Sequence, residues 1–156
     1  MADVRPAIQF RIVHQAHEPA GSADRQQRIP ANTGKYLLDD TNPFLLEIGK
    51  NVKIAAGVKI LTHDACWHVM MGNDGQIRGH VSPVRIGENV FIGVNSVILC
   101  GVDICSNVII SAGSVVGSHL QTPGVYAGNP AKLVASYDDY MAMRESRQVR
   151  EAYVLA

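Results

Sequence analysis

The sequence lacks an excess of charge of either sign: 14 Lys and Arg balance 14 Asp and Glu over 156 residues. The basic stripe that gives a nucleic-acid binder its electrostatic footprint is therefore missing, and no nucleic acid is expected as a partner. There is no apolar run close to the roughly 20 residues needed to cross a bilayer. The opening, MADVRPAIQF, also lacks the charged-then-apolar pattern of a secretory leader. No membrane span is expected, and a cytoplasmic setting is. Cysteine is scarce: Cys66, Cys100 and Cys105 are odd in number and have no metal-ligand spacing, so buried thiols in a reducing compartment are expected. With 47% hydrophobic and 18% charged residues, what is present suits one globular core.

What the sequence does have is a rhythm. Aliphatic residues stand at Ile48, Ile54 and Ile60, then at Ile86, Ile92, Ile98, Ile104, Ile110 and Val116, always six apart within each run. A helix repeats every 3.6 residues and a plain strand every two, so neither produces this spacing. A hexapeptide β-helix does, because each strand of about six residues is one side of a triangular coil whose framed residue points inward. Three places after each framed aliphatic stand Asn51, Gly57, His63, Asn89, Asn95, Gly101, Asn107, Gly113 and His119. Seven of these nine are Gly or Asn, the residues that tolerate positive φ at tight corners.

The frame breaks between Ile60 and Ile86, a gap of 26 residues that is not a multiple of six, so an inserted loop over about 64–83 must leave the coil. Long loops in compact domains are commonly functional, and this one, with Trp67, Met70 and Met71, is expected to cover a site. Residues 1–34 carry no six-residue rhythm and suggest an irregular or mobile arm. The coil is expected over 35–135, followed by a C-terminal helix within 136–156, capped by Asp138 or Asp139 and covering the open end of the coil.

Both breaks in the corner rule are histidines. His63, in ILTHDACWHV, stands at the last regular corner before the insertion. A neutral imidazole, whose unperturbed pKa is about 6.5, suits removal of a proton from an alcohol. A turn histidine in the left-handed region is the plainer alternative. His119 reads as an end-of-coil turn residue, while His68 and His80 lie in the loop. Coils of this kind also build metal hydratases of the γ-carbonic anhydrase type, which hold zinc with three histidines. Residues 92–101, IGVNSVILCG, contain none, which counts against that function, and no metal is expected. A non-catalytic trimeric scaffold is a third reading, but it leaves His63 and the loop unexplained.

The histidine of LTHD, the run PVRIGENVFIGVNSVILCGVDICSNVIISAGSVV and the closing YAGNPAKLV together resemble the hexapeptide-repeat acetyltransferases. The likeness is to the branch with galactoside, maltose and polysaccharide O-acetyltransferases, and it covers about residues 37–134. It implies an all-β fold, a left-handed parallel β-helix of hexapeptide repeats with an inserted loop and a C-terminal helix. It also implies a homotrimer with sites between subunits and acetyl-CoA as co-substrate. His63 then matches the catalytic base, and Phe91 and Trp67 lie on the acceptor side. Val94 and Ala112 occupy coil positions whose backbone meets the pantetheine arm, and Lys132 stands near the nucleotide end of CoA. Asp39 and Asp40 resemble an acidic pair that contacts acceptor hydroxyls, although Asp-Asp-Thr-Asn-Pro is also a strong turn sequence. The expected reaction is direct acetyl transfer to a sugar or polysaccharide hydroxyl. Asp64 is expected either to orient His63 or to cap a turn.

Overall fold

The computed structural model describes residues 37–38 and 41–146. The N-terminal arm, the Asp39–Asp40 pair and the end of the C-terminal helix lie outside the described residues. Most of the rest forms very short parallel strands in three sheets, visited in rotation. The first sheet, called A here, holds β2 (Leu46–Ile48), β7 (Val84–Ile86) and β10 (Asp103–Ile104). Sheet B holds β1 (Leu37–Leu38), β4 (Lys59–Ile60), β9 (Val97–Ile98) and β12 (Val115–Val116). Sheet C holds β3 (Lys53–Ile54), β8 (Val90–Ile92), β11 (Val108–Ile110), β13 (Gly124–Ala127) and β14 (Lys132–Ser136). The chain passes A, C, B and returns to A, so a regular circuit uses three hexapeptides.

The register proves the frame. Val90 pairs with Val108 and Val97 with Val115, each 18 residues on, as three hexapeptides require. Leu46 pairs with Val84, 38 residues on, so one circuit carries 20 additional residues. Every framed aliphatic is buried except Ile54, which is partly buried and packs against the core. A second inward row four places later holds Val58, Val90, Val102 and Val108, with Ser96 and Ser114 also fully buried. The two serine hydroxyls both donate to the Ser111 carbonyl, at 3.1 and 2.7 Å, so the polar rungs are satisfied. Each fully buried Val or Ile contributes about 1.5–3 kcal/mol through removal from water.

The corners explain the Gly and Asn positions. Asn51, Asn89, Asn95 and Asn107 take φ of 54 to 61°, and Gly57, Gly101 and Gly113 take 71 to 76°. Left-handed backbone costs other residues about 1–2 kcal/mol because Cβ crowds the following carbonyl. The asparagines do more than tolerate it: Asn51 Nδ2 donates to Asn89 Oδ1 at 2.9 Å, and Asn89 Nδ2 to Asn107 Oδ1 at 3.2 Å, a side-chain ladder up one corner.

The C-terminal end corrects two details. Strand β14 folds back antiparallel on β13 and so lies at the edge of sheet C. Helix α2 (Tyr137–Ser146) then packs on β13 and β14. Its cap is Ser136, not Asp138 or Asp139: the Asp139 amide donates to Ser136 Oγ at 3.1 Å and that hydroxyl donates back to Asp139 Oδ2 at 2.6 Å. Ser136 thus caps the helix through its hydroxyl, which the Asp139 carboxylate holds in place, a signal readable in the order Ser136, Tyr137, Asp138, Asp139. The cysteines also differ from expectation, since Cys66 is exposed and Cys100 and Cys105 are half-buried.

Candidate active site

The expected loop is an ordered excursion. It leaves the coil as β5 (His63–Asp64), forms helix α1 (Trp67–Asp74) and returns as β6 (His80–Val81), antiparallel to β5. Gly75 ends α1 in the left-handed region at φ 73°, its amide bonded to the Met71 carbonyl at 2.8 Å. Asp74 accepts from the Gln76 amide and pairs with Arg78 at 2.7 Å, which fixes the return. The base of the excursion is closed by the Ser82 amide donating to the Thr62 carbonyl at 2.9 Å. Thr62 is fully buried, although the six-residue frame gave it no special place.

His63 is the first residue of this excursion and is half-buried, facing Val81 across the pair. The expectation of a corner histidine is thereby corrected: the positive-φ non-glycines among the described residues are all asparagines, so neither His63 nor His119 is a left-handed turn residue. The turn explanation for His63 fails, because the chain at that point has already become a strand. His119 instead accepts the Asp103 amide on Nδ1 at 3.0 Å, beside a surface ladder in which Arg85 joins Glu47 and Asp103. Exposed pairs of this kind are worth little, and the ladder leaves the outer side of sheet A charged.

Asp64 follows His63 and faces His80 in the strand pair. Its Oδ1 accepts the Cys66 amide at 3.0 Å and the Cys66 thiol at 2.8 Å. Those two hydrogen bonds, the thiol's first, hold the Asp64 carboxyl below its ordinary range, and His80 and His63 act in the same direction. The same bond pushes the Cys66 thiol up, since ionisation would oppose Asp64. Asp64 is therefore an ionised carboxylate at neutral pH whose Oδ1 caps the turn into α1. Cys66 was missed as its partner, although an Asp two residues before a turn amide is a recognisable signal.

The remaining candidates divide between two regions. Trp67 opens α1, half-buried, with its ring edge-on to His68 at 5.8 Å. Phe91 points outward from β8, 41% exposed, between Lys53 of β3 and Ile109 of β11. Val94 and Ala112 stack at the corner leading from sheet C to sheet B, both exposed, and the Val94 carbonyl already accepts the Gly113 amide at 2.8 Å. Lys132 opens β14, exposed, opposite Ala127. Within one chain, His63 and Trp67 share the excursion, while Val94 and Ala112 lie one side of the coil away and Phe91 on the face before them. Among the described residues no three His, Cys, Asp or Glu groups are placed to hold a metal ion. No described helix is long and apolar enough to cross a membrane.

Residues 83–118 match the family model described as the hexapeptide repeat of succinyl-transferase. Protein CapG of Staphylococcus aureus is 41% identical over 100 residues, which are 64% of this chain and 58% of that protein. Galactoside O-acetyltransferase of Escherichia coli (strain K12) is 33% identical over 109 residues, 70% of this chain and 51% of that protein. A solved structure of a galactoside acetyltransferase in complex with coenzyme A superposes with a TM-score of 0.59 at 30% identity, covering 69% of this chain and 52% of that one. The chain thus spans between 51% and 58% of the length of these curated relatives. The resemblance read from LTHD, the repeats and AGNPAK is borne out by these matches.

Proposed function

We propose that this chain, a relative of the hexapeptide-repeat acetyltransferases, is an acetyl-CoA-dependent O-acetyltransferase that acts on a hydroxyl of a sugar or polysaccharide precursor. The fold of the described coil is a left-handed parallel β-helix, followed by helix α2. It works in the cytoplasm as a homotrimer, with each site shared between neighbouring subunits. That assembly answers the separation of His63 from Val94 and Ala112 within one chain: a neighbour's coil brings the CoA-binding corner to the excursion.

The observation that carries the reading is the setting of His63, half-buried at the one point where the six-residue coil opens, next to an ionised Asp64. The imidazole accepts the acceptor's hydroxyl proton as that oxygen attacks the thioester carbonyl carbon. The carbon–sulfur bond then breaks, the proton passes from His63 to the departing thiolate, and an acetyl ester and free CoA result. Holding donor and acceptor together supplies much of the acceleration, so no covalent enzyme intermediate is needed. Phe91, Trp67 and the Asp39–Asp40 pair serve the acceptor, and Val94, Ala112 and Lys132 the CoA.

The test is release of free thiol from acetyl-CoA across sugars, nucleotide sugars, serine and hydroxylated antibiotics, with wild type and His63→Ala side by side. Turnover with a sugar, lost in the variant while CoA still binds, supports the reading. Full turnover in the variant removes His63 from the chemistry, and a sedimenting monomer removes the shared site.

A further inference from the structure

The residue directly after each framed aliphatic differs between the three sides of the coil. After sheet A it is Gly49, Gly87 and Cys105, and after sheet C it is Ala55, Gly93 and Ser111. These positions are small because they face the next coil: a Cβ on Gly87 would come within 2.7 Å of the Ser106 amide nitrogen, and one on Gly49 within 2.7 Å of Gly87 backbone. After sheet B the same position holds Leu61, Leu99 and Gly117. Leu61 and Leu99 stack in register, since Leu61 donates to the Ile98 carbonyl and Leu99 to the Val116 carbonyl, both at 3.0 Å. Leu99 is 37% exposed, and Gly117 leaves an opening beyond it, where a Cβ would meet nothing but the Leu99 Cδ1 atom at 3.3 Å.

This apolar column lies on the corner that carries His63. Leu61 is two residues from His63, so their Cα atoms are at most about 7 Å apart. Thr62 between them is fully buried, whereas Leu61 and His63 are not. The column offers no side-chain hydrogen-bonding group, and its Leu61 and Leu99 amides are used within the coil. A polyol hydroxyl would lose its hydrogen bonds there, which costs free energy, whereas a hydrocarbon gains by leaving water.

We propose that Leu61, Leu99 and Gly117 form the wall that receives the hydrocarbon end of the donor's acyl group and sets the chain length transferred. The inference rests on the reading of the chain as an acyl-CoA-dependent transferase. In that reaction the carbon attacked is within about 3–3.5 Å of the hydroxyl that His63 deprotonates, and the acyl carbon chain starts one bond further on. An apolar surface this close to the base is within reach of that chain. Leu99 closes the wall to longer acyl groups, and the Gly117 opening lets the Leu99 tip settle outward.

Binding of CoA, acetyl-CoA, propionyl-CoA and butyryl-CoA to the full chain by calorimetry tests this without an acceptor. Because one methylene in an apolar pocket is worth roughly tenfold or more in discrimination, Leu99→Ala should raise the affinity for butyryl-CoA relative to CoA by about tenfold. Gly117→Ala, which presses on the Leu99 tip, should lower the affinity for propionyl-CoA relative to acetyl-CoA, and it provides an independent test should Leu99→Ala fold poorly. Ratios unchanged within about twofold in the folded variants, with CoA still bound, overturn the wall and leave the transferase reading standing. A wild-type chain that binds neither CoA nor any thioester overturns both.

Discussion

Two corner columns of the coil repeat one solution, while the third departs from it in residue type, backbone and hydrogen bonding. The Asn51, Asn89, Asn107 column and the Gly57, Asn95, Gly113 column take positive φ throughout, and the first is laced by asparagine amides. The His63, Gly101, His119 column takes it at Gly101 alone. There the residue after the framed aliphatic is Leu61 and Leu99 in two coils, with Gly117 in the last, the chain opens for 20 extra residues, and Thr62 is buried beside the opening. The regular corners keep the repeat intact, also where Val94 and Ala112 are proposed to meet CoA. The irregular one spends repeat geometry on an imidazole, an ionised carboxylate and an apolar ledge, which is why we propose it as the place of chemistry.

The sharpest way to break this contrast is to excise residues 64–83. Removal of those 20 residues brings Ile86 six places after Ile60 and gives the β2–β7, β3–β8 and β4–β9 pairs the 18-residue register of the regular coils. The coil should then fold with its melting temperature kept or raised, by circular dichroism, while acetyl transfer falls by about a hundredfold or more through loss of positioning. A shortened chain that stays active would place the chemistry elsewhere.

The regular parts should fail in the opposite sense. Ile92→Ala empties a fully buried rung and should lower stability to urea by about 2–5 kcal/mol. Asn89→Ala removes the middle of the amide ladder from a residue at φ 56°. It should cost about 1–3 kcal/mol, and Asn89→Gly should cost less because only the ladder is lost. If alanine and glycine cost the same at Asn89, the corner does not owe its asparagine to backbone conformation.

The smallest effect sharpens the irregular corner. Cys66→Ala deletes the thiol that chiefly holds Asp64 low, so the Asp64 carboxyl should titrate at higher pH, moving up towards its ordinary value by NMR. A depressed carboxyl favours the folded state above its unfolded pKa, and that preference fades as pH falls through the folded pKa. The wild-type excursion should therefore keep its order to lower pH than the variant's. An unmoved Asp64 resonance would mean that the thiol bond does not form in solution.

Much of this was legible beforehand, and the reason is periodic. Ile at every sixth place and Asn or Gly in phase with it report the same geometric constraint twice, so sheet membership and corner conformation follow from the spacing. The excursion has no period. Its helix and strand pair are accompanied by Asp64 meeting Cys66, Asp74 meeting Arg78 and the Ser82 amide meeting the Thr62 carbonyl, contacts that no repeat encodes. His63 was noticed as a break in the corner rule, and the break proved to be a change of backbone, which spacing alone does not reveal. The Ser136 cap was readable but outcompeted by the more conspicuous acidic pair that follows it.

The most direct measurement compares two histidines of one corner column, His63 at the opening and His119 in the intact end of the coil. Acetyl-CoA turnover with the best sugar acceptor should fall by about 100-fold or more in His63→Ala and stay within about twofold of wild type in His119→Ala, whose imidazole meets only the Asp103 surface. Equal loss in both variants, or full turnover in His63→Ala, would contradict the account.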